Sequence, residues 1–181
     1  MRLRILDCGL RIGRAAVACA FWLCIGAGTA GAEVIDRVLA VVGGELIMLS
    51  DVNAARDLGL VTPGSVGDPI REVLSRLIDR ELELAEVERY APKEPTAEEV
   101  EAELQMVQAR FASPDAFAAA LARSGIDVQR LRERLREDLR IRAYLDQRFS
   151  TAADRRPRLI DEWIAGLRRR TPTIDLYLLG G

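Results

Sequence analysis

The feature that most constrains this chain is a strand without a neighbour. Thr173 to Leu179 alternates in the manner of a β-strand, while everything from Asp51 to Arg169 reads as helix and loop. A lone strand leaves backbone groups unpaired and must find a partner. The only other strand-like sequence lies at the opposite end. Glu33 to Val42 is rich in β-branched residues, Gly43-Gly44 supplies the positive φ angles of a two-residue turn, and Glu45 to Met48 returns. The N-terminal hairpin is therefore expected to pair with the C-terminal strand. The fold class that follows is mainly α with a small β-sheet where the two ends meet.

Between them, local signals mark the helices. Ser50 is the expected cap of a short helix to Leu58. Asp68-Pro69 opens a second, whose apolar residues Ile70, Val73, Leu74, Leu77, Ile78, Leu82 and Ala85 recur at spacings of three and four, up to Tyr90. Thr96 and Glu99 form a capping box for a third, with Val100, Leu104, Val107 and Phe111 on one face. Ser113-Pro114 starts a fourth through Leu121, closed by Gly125. Asp127 caps a fifth to Phe149, with Val128, Leu131, Leu135, Leu139 and Leu145 inward. Pro157 to Arg169 is a sixth, with Ile160, Trp163, Ile164 and Leu167 as its stripe. Apolar residues make up 49% of the chain, too many for a disordered one.

The first 32 residues carry a different message. Arg2, Arg4, Arg11 and Arg14 precede an apolar run from Ala15 to Gly28, which closes on Ala30-Gly31-Ala32. That is the pattern of a cleavable signal peptide, and the run is short for a membrane span. Cleavage after Ala32 removes all three cysteines and leaves 22 basic against 27 acidic residues, a net charge of -5. An exported chain without thiols has no disulfide or redox role, and its acidity argues against nucleic acid.

Histidine is absent from the whole chain. Imidazole acid-base work, His-dependent nucleophiles and His-based zinc sites are excluded with it. The arginines at 130, 132, 134, 136, 140 and 142 alternate with Glu133, Glu137 and Asp138. They read as a solvated helix face with Arg134–Asp138 and Asp138–Arg142 spaced for i,i+4 pairs. Glu81, Glu83, Glu86 and Glu88, and Glu98, Glu99, Glu101 and Glu103, read as outward positions without a calcium-loop pattern. No cofactor or metal is expected. What remains is apolar surface. Seven aromatics survive signal removal, and Met106, Phe111, Phe117, Tyr144 and Phe149 are the candidate lining of an apolar groove.

Several segments resemble SurA-type periplasmic chaperones. Val38 to Val52 is similar to that family's N-terminal hairpin and first helix, and Leu74 to Leu82 to its second. Phe117, Leu121, Gly125 and Ile126 with Leu131 to Leu139 follow its later helices. Trp163 to Arg168 with Ile174 to Leu178 resembles its C-terminal helix and strand. After the signal peptide at 1–32, the resemblance implies one multi-helix chaperone domain at 33–181, made of segments 33–149 and 157–181. It implies a periplasmic holdase for unfolded outer-membrane or secreted proteins, with no stable membrane insertion after cleavage. The family's parvulin isomerase domain, roughly a hundred residues, has no room between Phe149 and Pro157, so the expected protein is not an enzyme. Peptidyl-prolyl isomerase by family association, and an envelope adaptor, are the alternative readings. A homodimer by exchange of the terminal strand is a further option.

Overall fold

The computed structural model describes residues 36–62, 64, 67–90, 92–150 and 153–177. The expected signal peptide lies outside the described residues, as do residues 33–35 of the expected first strand and 178–179 of the last. Residues from Asp36 onward belong to one unit.

Gly43 and Gly44 have φ of 61° and 104°, left-handed values that residues with a Cβ resist. They turn β1 (Val38–Val42) into β2 (Glu45–Met48). The last strand, β3 (Thr173–Asp175), pairs antiparallel with β1, placing Ile174 opposite Val41. The sheet order is β2-β1-β3, so the chain's two end regions do meet. Pairing continues past β3: the N–H groups of Leu176 and Tyr177 donate to the Leu39 carbonyl at 2.9 and 3.1 Å, and Gly43 N–H donates to the Pro172 carbonyl at 3.0 Å. These bonds satisfy the strand that had no local partner.

Six α-helices fill the rest of the described chain: α1 (Leu49–Asp57), α2 (Pro69–Tyr90), α3 (Ala97–Gln108), α4 (Pro114–Ser124), α5 (Val128–Arg148) and α6 (Arg156–Arg170). Caps set most of their ends. Asp68 Oδ1 accepts from Ile70 N–H at 2.9 Å, and Asp127 Oδ1 accepts from Arg130 N–H at 2.7 Å. Thr96 Oγ1 accepts from Glu99 N–H at 3.2 Å while Glu99 Oε2 accepts from Thr96 N–H at 2.7 Å, which is the expected capping box. Gly125, at φ 77°, ends α4. Ser50 is not a cap. Helix α1 starts at Leu49, the Asp51 carboxylate accepts from Met48 N–H at 2.9 Å, and the Ser50 hydroxyl is bound instead to Asp36.

Three apolar clusters hold the elements together. The first packs Ala40, Val42 and Ile47 of the sheet's inner face, with Leu39 where the register of β1 shifts, onto Val52 of α1, Leu74, Leu77 and Leu82 of α2, and Leu167 of α6. The second joins Leu58 to Val100, Leu104 and Val107 of α3, Phe117 and Leu121 of α4, and Leu131 and Leu135 of α5. The third brings Leu84 and Val87 of α2 to Ile141 and Tyr144 of α5, with Trp163 of α6 against them. Helix α5 thus changes partner along its length, and one stripe cannot serve both. Leu139 and Leu145, expected inward, are half-buried, whereas Ile141 and Tyr144 are buried.

Candidate functional site

The outer face of the sheet carries the first element of the site. Side chains alternate across a strand, so Ala40, Val42 and Ile47 face the helices and Val41 faces away. Register places Leu46 and Ile174 on either side of Val41. These three form one apolar row, with Leu46 55% and Ile174 54% exposed and Val41 half-buried. Strands that are apolar on both faces are ordinarily covered on both. In β1 (VLAVV), among the described residues, the helices cover one face only.

The row runs into a cavity of about 390 Å³ enclosed by the hairpin, α1, α2 and the first half of α5. Leu46, Ile47, Leu77, Leu84 and Ile126 supply apolar wall. Glu45, Leu46 and Ile47 are consecutive in β2, yet all three line it. Neighbouring side chains point to opposite faces, so the cavity reaches the edge of β2 not paired with β1, and Val42, Gly43 and Thr171 extend its lining past the turn.

Much of the rest of the lining is charged. Arg80 is its best-connected group. It donates from Nε to Asp138 Oδ1 at 2.6 Å, from Nη2 to Glu137 Oε2 at 2.7 Å and from Nη1 to Glu81 Oε1 at 2.7 Å. Burial works against its charge, but Asp138, Glu137 and Glu81 outweigh burial and hold it protonated more firmly than a free arginine. Burial also pushes Glu81 above the usual carboxylate range, in spite of Arg80. Glu83, desolvated and next to Asp79, is pushed up to about 7. Arg134 is the opposite case. Its Nε is buried without a hydrogen-bond partner, and burial, then Arg80, pulls its pKa down.

The arginine-rich face of α5 is the solvated surface its spacing suggested only in part: Arg130, 3.6 Å from Glu133, and Arg142 are exposed, while Arg132, Arg134, Arg136 and Arg140 are half-buried. Asp138 pairs with Arg80 of α2 rather than with Arg134 or Arg142. Arg142 reaches Glu103 at 2.6 Å, Arg132 reaches Glu101 at 3.1 Å, and Arg140 Nε lies 3.0 Å from Glu94. Each of these partners is distant in sequence, on α2, on α3 or in the loop before α3. Glu81 and Glu83, expected outward, are part-buried.

The five residues expected to line a groove do not converge, and none lines the cavity. Phe117, at 7% exposure, is core, with the half-buried Phe111 edge-on to it at 5.5 Å. Tyr144, at 6%, is core in the third cluster, 5.9 Å from the ring of Trp163. Phe149 is half-buried and meets Trp163 at 6.1 Å. Met106 is exposed on α3. Sequence reasoning missed Leu46, Ile174 and Arg134. A signal for the first was present: in Glu45-Leu46-Ile47-Met48 the adjacent apolar residues cannot share a face. Among the described residues no group of acidic side chains is arranged to hold a metal, and no helix is long and apolar enough to cross a membrane.

No family model matches the chain. It is 30% identical over 123 residues to the chaperone SurA of Pseudomonas fluorescens (strain Pf0-1), a match that takes in 62% of this chain and 28% of that protein. The chain thus spans little more than a quarter of the length of the relative it matches, and the likeness supports a distant SurA-like relationship.

Proposed function

We infer that this chain is an exported, periplasmic holdase that keeps unfolded polypeptides, outer-membrane or secreted proteins among them, from aggregating, and that it catalyses no bond chemistry. The observation that carries this reading is the exposed apolar row Leu46–Val41–Ile174 leading into the cavity beside β2. Apolar surface open to water on one side and continuous with a concavity on the other suits a chain of mixed sequence better than one rigid partner. The distant likeness to chaperone SurA points the same way. An interface of about 1,000 Å² or less would bind only moderately after ordering costs. Quick release without nucleotide then follows from weak binding. The arginine-led apolar start and Ala30-Gly31-Ala32 support export with cleavage before Glu33.

The test uses protein made with its own leader and recovered from the periplasm, its N-terminus read by intact mass. Mixed at several-fold excess with a urea-denatured porin on dilution, it is expected to suppress light scattering. Unchanged scattering would overturn the holdase reading. Turnover of a proline peptide above background would overturn the non-catalytic one.

A further inference from the structure

Arg134 is an anomaly in the interior of this molecule. Its side chain makes no hydrogen bond or ion pair among the described residues, its Nε is buried, and it lines the cavity beside β2. A buried guanidinium N–H without an acceptor costs stability. The packing around it includes a pattern for doing better, since Arg80 on the facing helix binds three carboxylates. A second feature lies beside it. Among the described residues strand β2 has β1 as its only strand neighbour; on its other edge the Met48 N–H already donates to Asp51, which leaves Leu46 as the edge residue beside the cavity that Glu45, Leu46 and Ile47 line. Donor and edge therefore open on the same space.

We propose that this cavity binds an extended polypeptide segment by its backbone, the segment adding a strand at the free edge of β2 and offering a carbonyl oxygen to Arg134. The inference rests on the holdase reading and deepens it by naming the site and the chemistry of the segment. A neutral acceptor fits better than a carboxylate, because five acidic residues, Glu45, Asp51, Glu81, Glu88 and Glu137, line the cavity against the three arginines Arg80, Arg130 and Arg134 and would repel a further anion. The rim selects in the same sense. Glu45 and Glu88 are exposed, line the cavity and have no ion pair among the described residues. Lysine or arginine flanking an apolar stretch would meet them. Strand addition gives affinity without reading side chains, which is what a binder of many sequences requires.

The test is the anisotropy of three fluorescein-labelled decapeptides with alternating valine and threonine: one with lysine at both ends, one with glutamate, and one lysine-ended with alternate backbone amides N-methylated. The lysine peptide is expected to bind at least tenfold tighter than either of the others. Arg134→Met keeps the apolar stem and removes the donors. It is expected to weaken the lysine peptide about tenfold while the thermal midpoint stays level or rises, an outcome that a merely structural arginine would not produce. Should that variant fail to fold, Arg134→Leu also removes every donor and is expected to show the same loss. Glu45→Gln with Glu88→Gln should narrow the gap between lysine and glutamate peptides. Equal binding of the N-methylated peptide, or undiminished binding by folded Arg134 variants, overturns the proposal. If the protein suppresses porin aggregation but binds no peptide here, this site is wrong and the holdase reading stands. If it does neither, both fall.

Discussion

Leu131, Arg134 and Leu135 occupy the same turn and a half of α5, yet they face two regions built on different terms. Leu131 and Leu135 enter the cluster with Leu104 and Val107, where side chains are sealed from water and polar groups are few. Arg134 enters the seam between α2 and α5, where Arg80, Glu81, Glu137 and Asp138 are part-buried and the cavity remains open. The first region returns stability for every methyl group it buries. The second carries desolvated charge that well-packed apolar residues would replace at little cost or at a gain. The contrast teaches how the molecule spends stability: it is closed where apolar side chains meet and open where desolvated charge is gathered.

The comparison breaks most sharply at Arg80. Replacing Arg80 with Met leaves Glu81, Glu137 and Asp138 without their shared cation, and unpaired buried charge of this kind costs about 3–5 kcal/mol. Urea unfolding should show it as a lowered midpoint at unchanged slope. Next comes Leu131→Ala, which opens a hole in a cluster where Leu131 is fully buried. A loss of about 2–4 kcal/mol is expected, measured in the same way, with peptide binding unaffected. If Arg80→Met proved the milder of the two, the seam would be better solvated than its geometry implies.

How much of this was readable from residues alone divides along the same line. Asp68-Pro69, Thr96 with Glu99, Ser113 with Pro114 and Gly125, and Asp127 mark helix ends because a cap is a contact of two to four residues. The pairing of the chain ends was readable because an unsatisfied strand admits few solutions. Asp138 misled because its spacing to Arg134 and Arg142 offered local pairs worth a few tenths of a kcal/mol, which the stronger bonds from Arg80 displace. Ser50 misled because Asp36 claims its hydroxyl. Tyr144 read as a groove residue because it falls off the Leu131–Leu135 stripe, and it is buried because α5 has turned to a different neighbour by then. The cavity was not readable at all, since it is enclosed by four elements that meet only in space.

A pH titration sharpens the comparison within the seam. Glu83, with Asp79, Arg80 and Asp138 around it, has its pKa raised from 4.5 to about 7 in the folded protein. The folded state therefore holds this proton more tightly than the unfolded chain does. The associated stability is full below the ordinary glutamate value and is lost as pH rises through about 7. Glu83→Gln should then raise stability by about 2 kcal/mol at pH 8, allowing for solvent screening, and by nothing measurable at pH 4. A gain of equal size at both pH values would assign the effect to helix propensity rather than to burial.

The smallest change in stability should accompany a large change in behaviour. Leu46 and Ile174 are more than half exposed, so replacing both with Thr, a good strand former, removes little buried area and should shift unfolding by no more than about 0.5 kcal/mol. The same double variant strips the row that leads to the cavity and should need several-fold more protein for equal suppression of porin scattering. Leu104→Thr is its counterpart in the sealed cluster: it should unfold readily and, where still folded, suppress as well as the parent. A sheet face retained for stability would give the reverse, a destabilised double variant with undiminished suppression. The two surfaces of one three-stranded sheet would then be equivalent, and the row Leu46–Val41–Ile174 would be no more than apolar residues that the fold left uncovered.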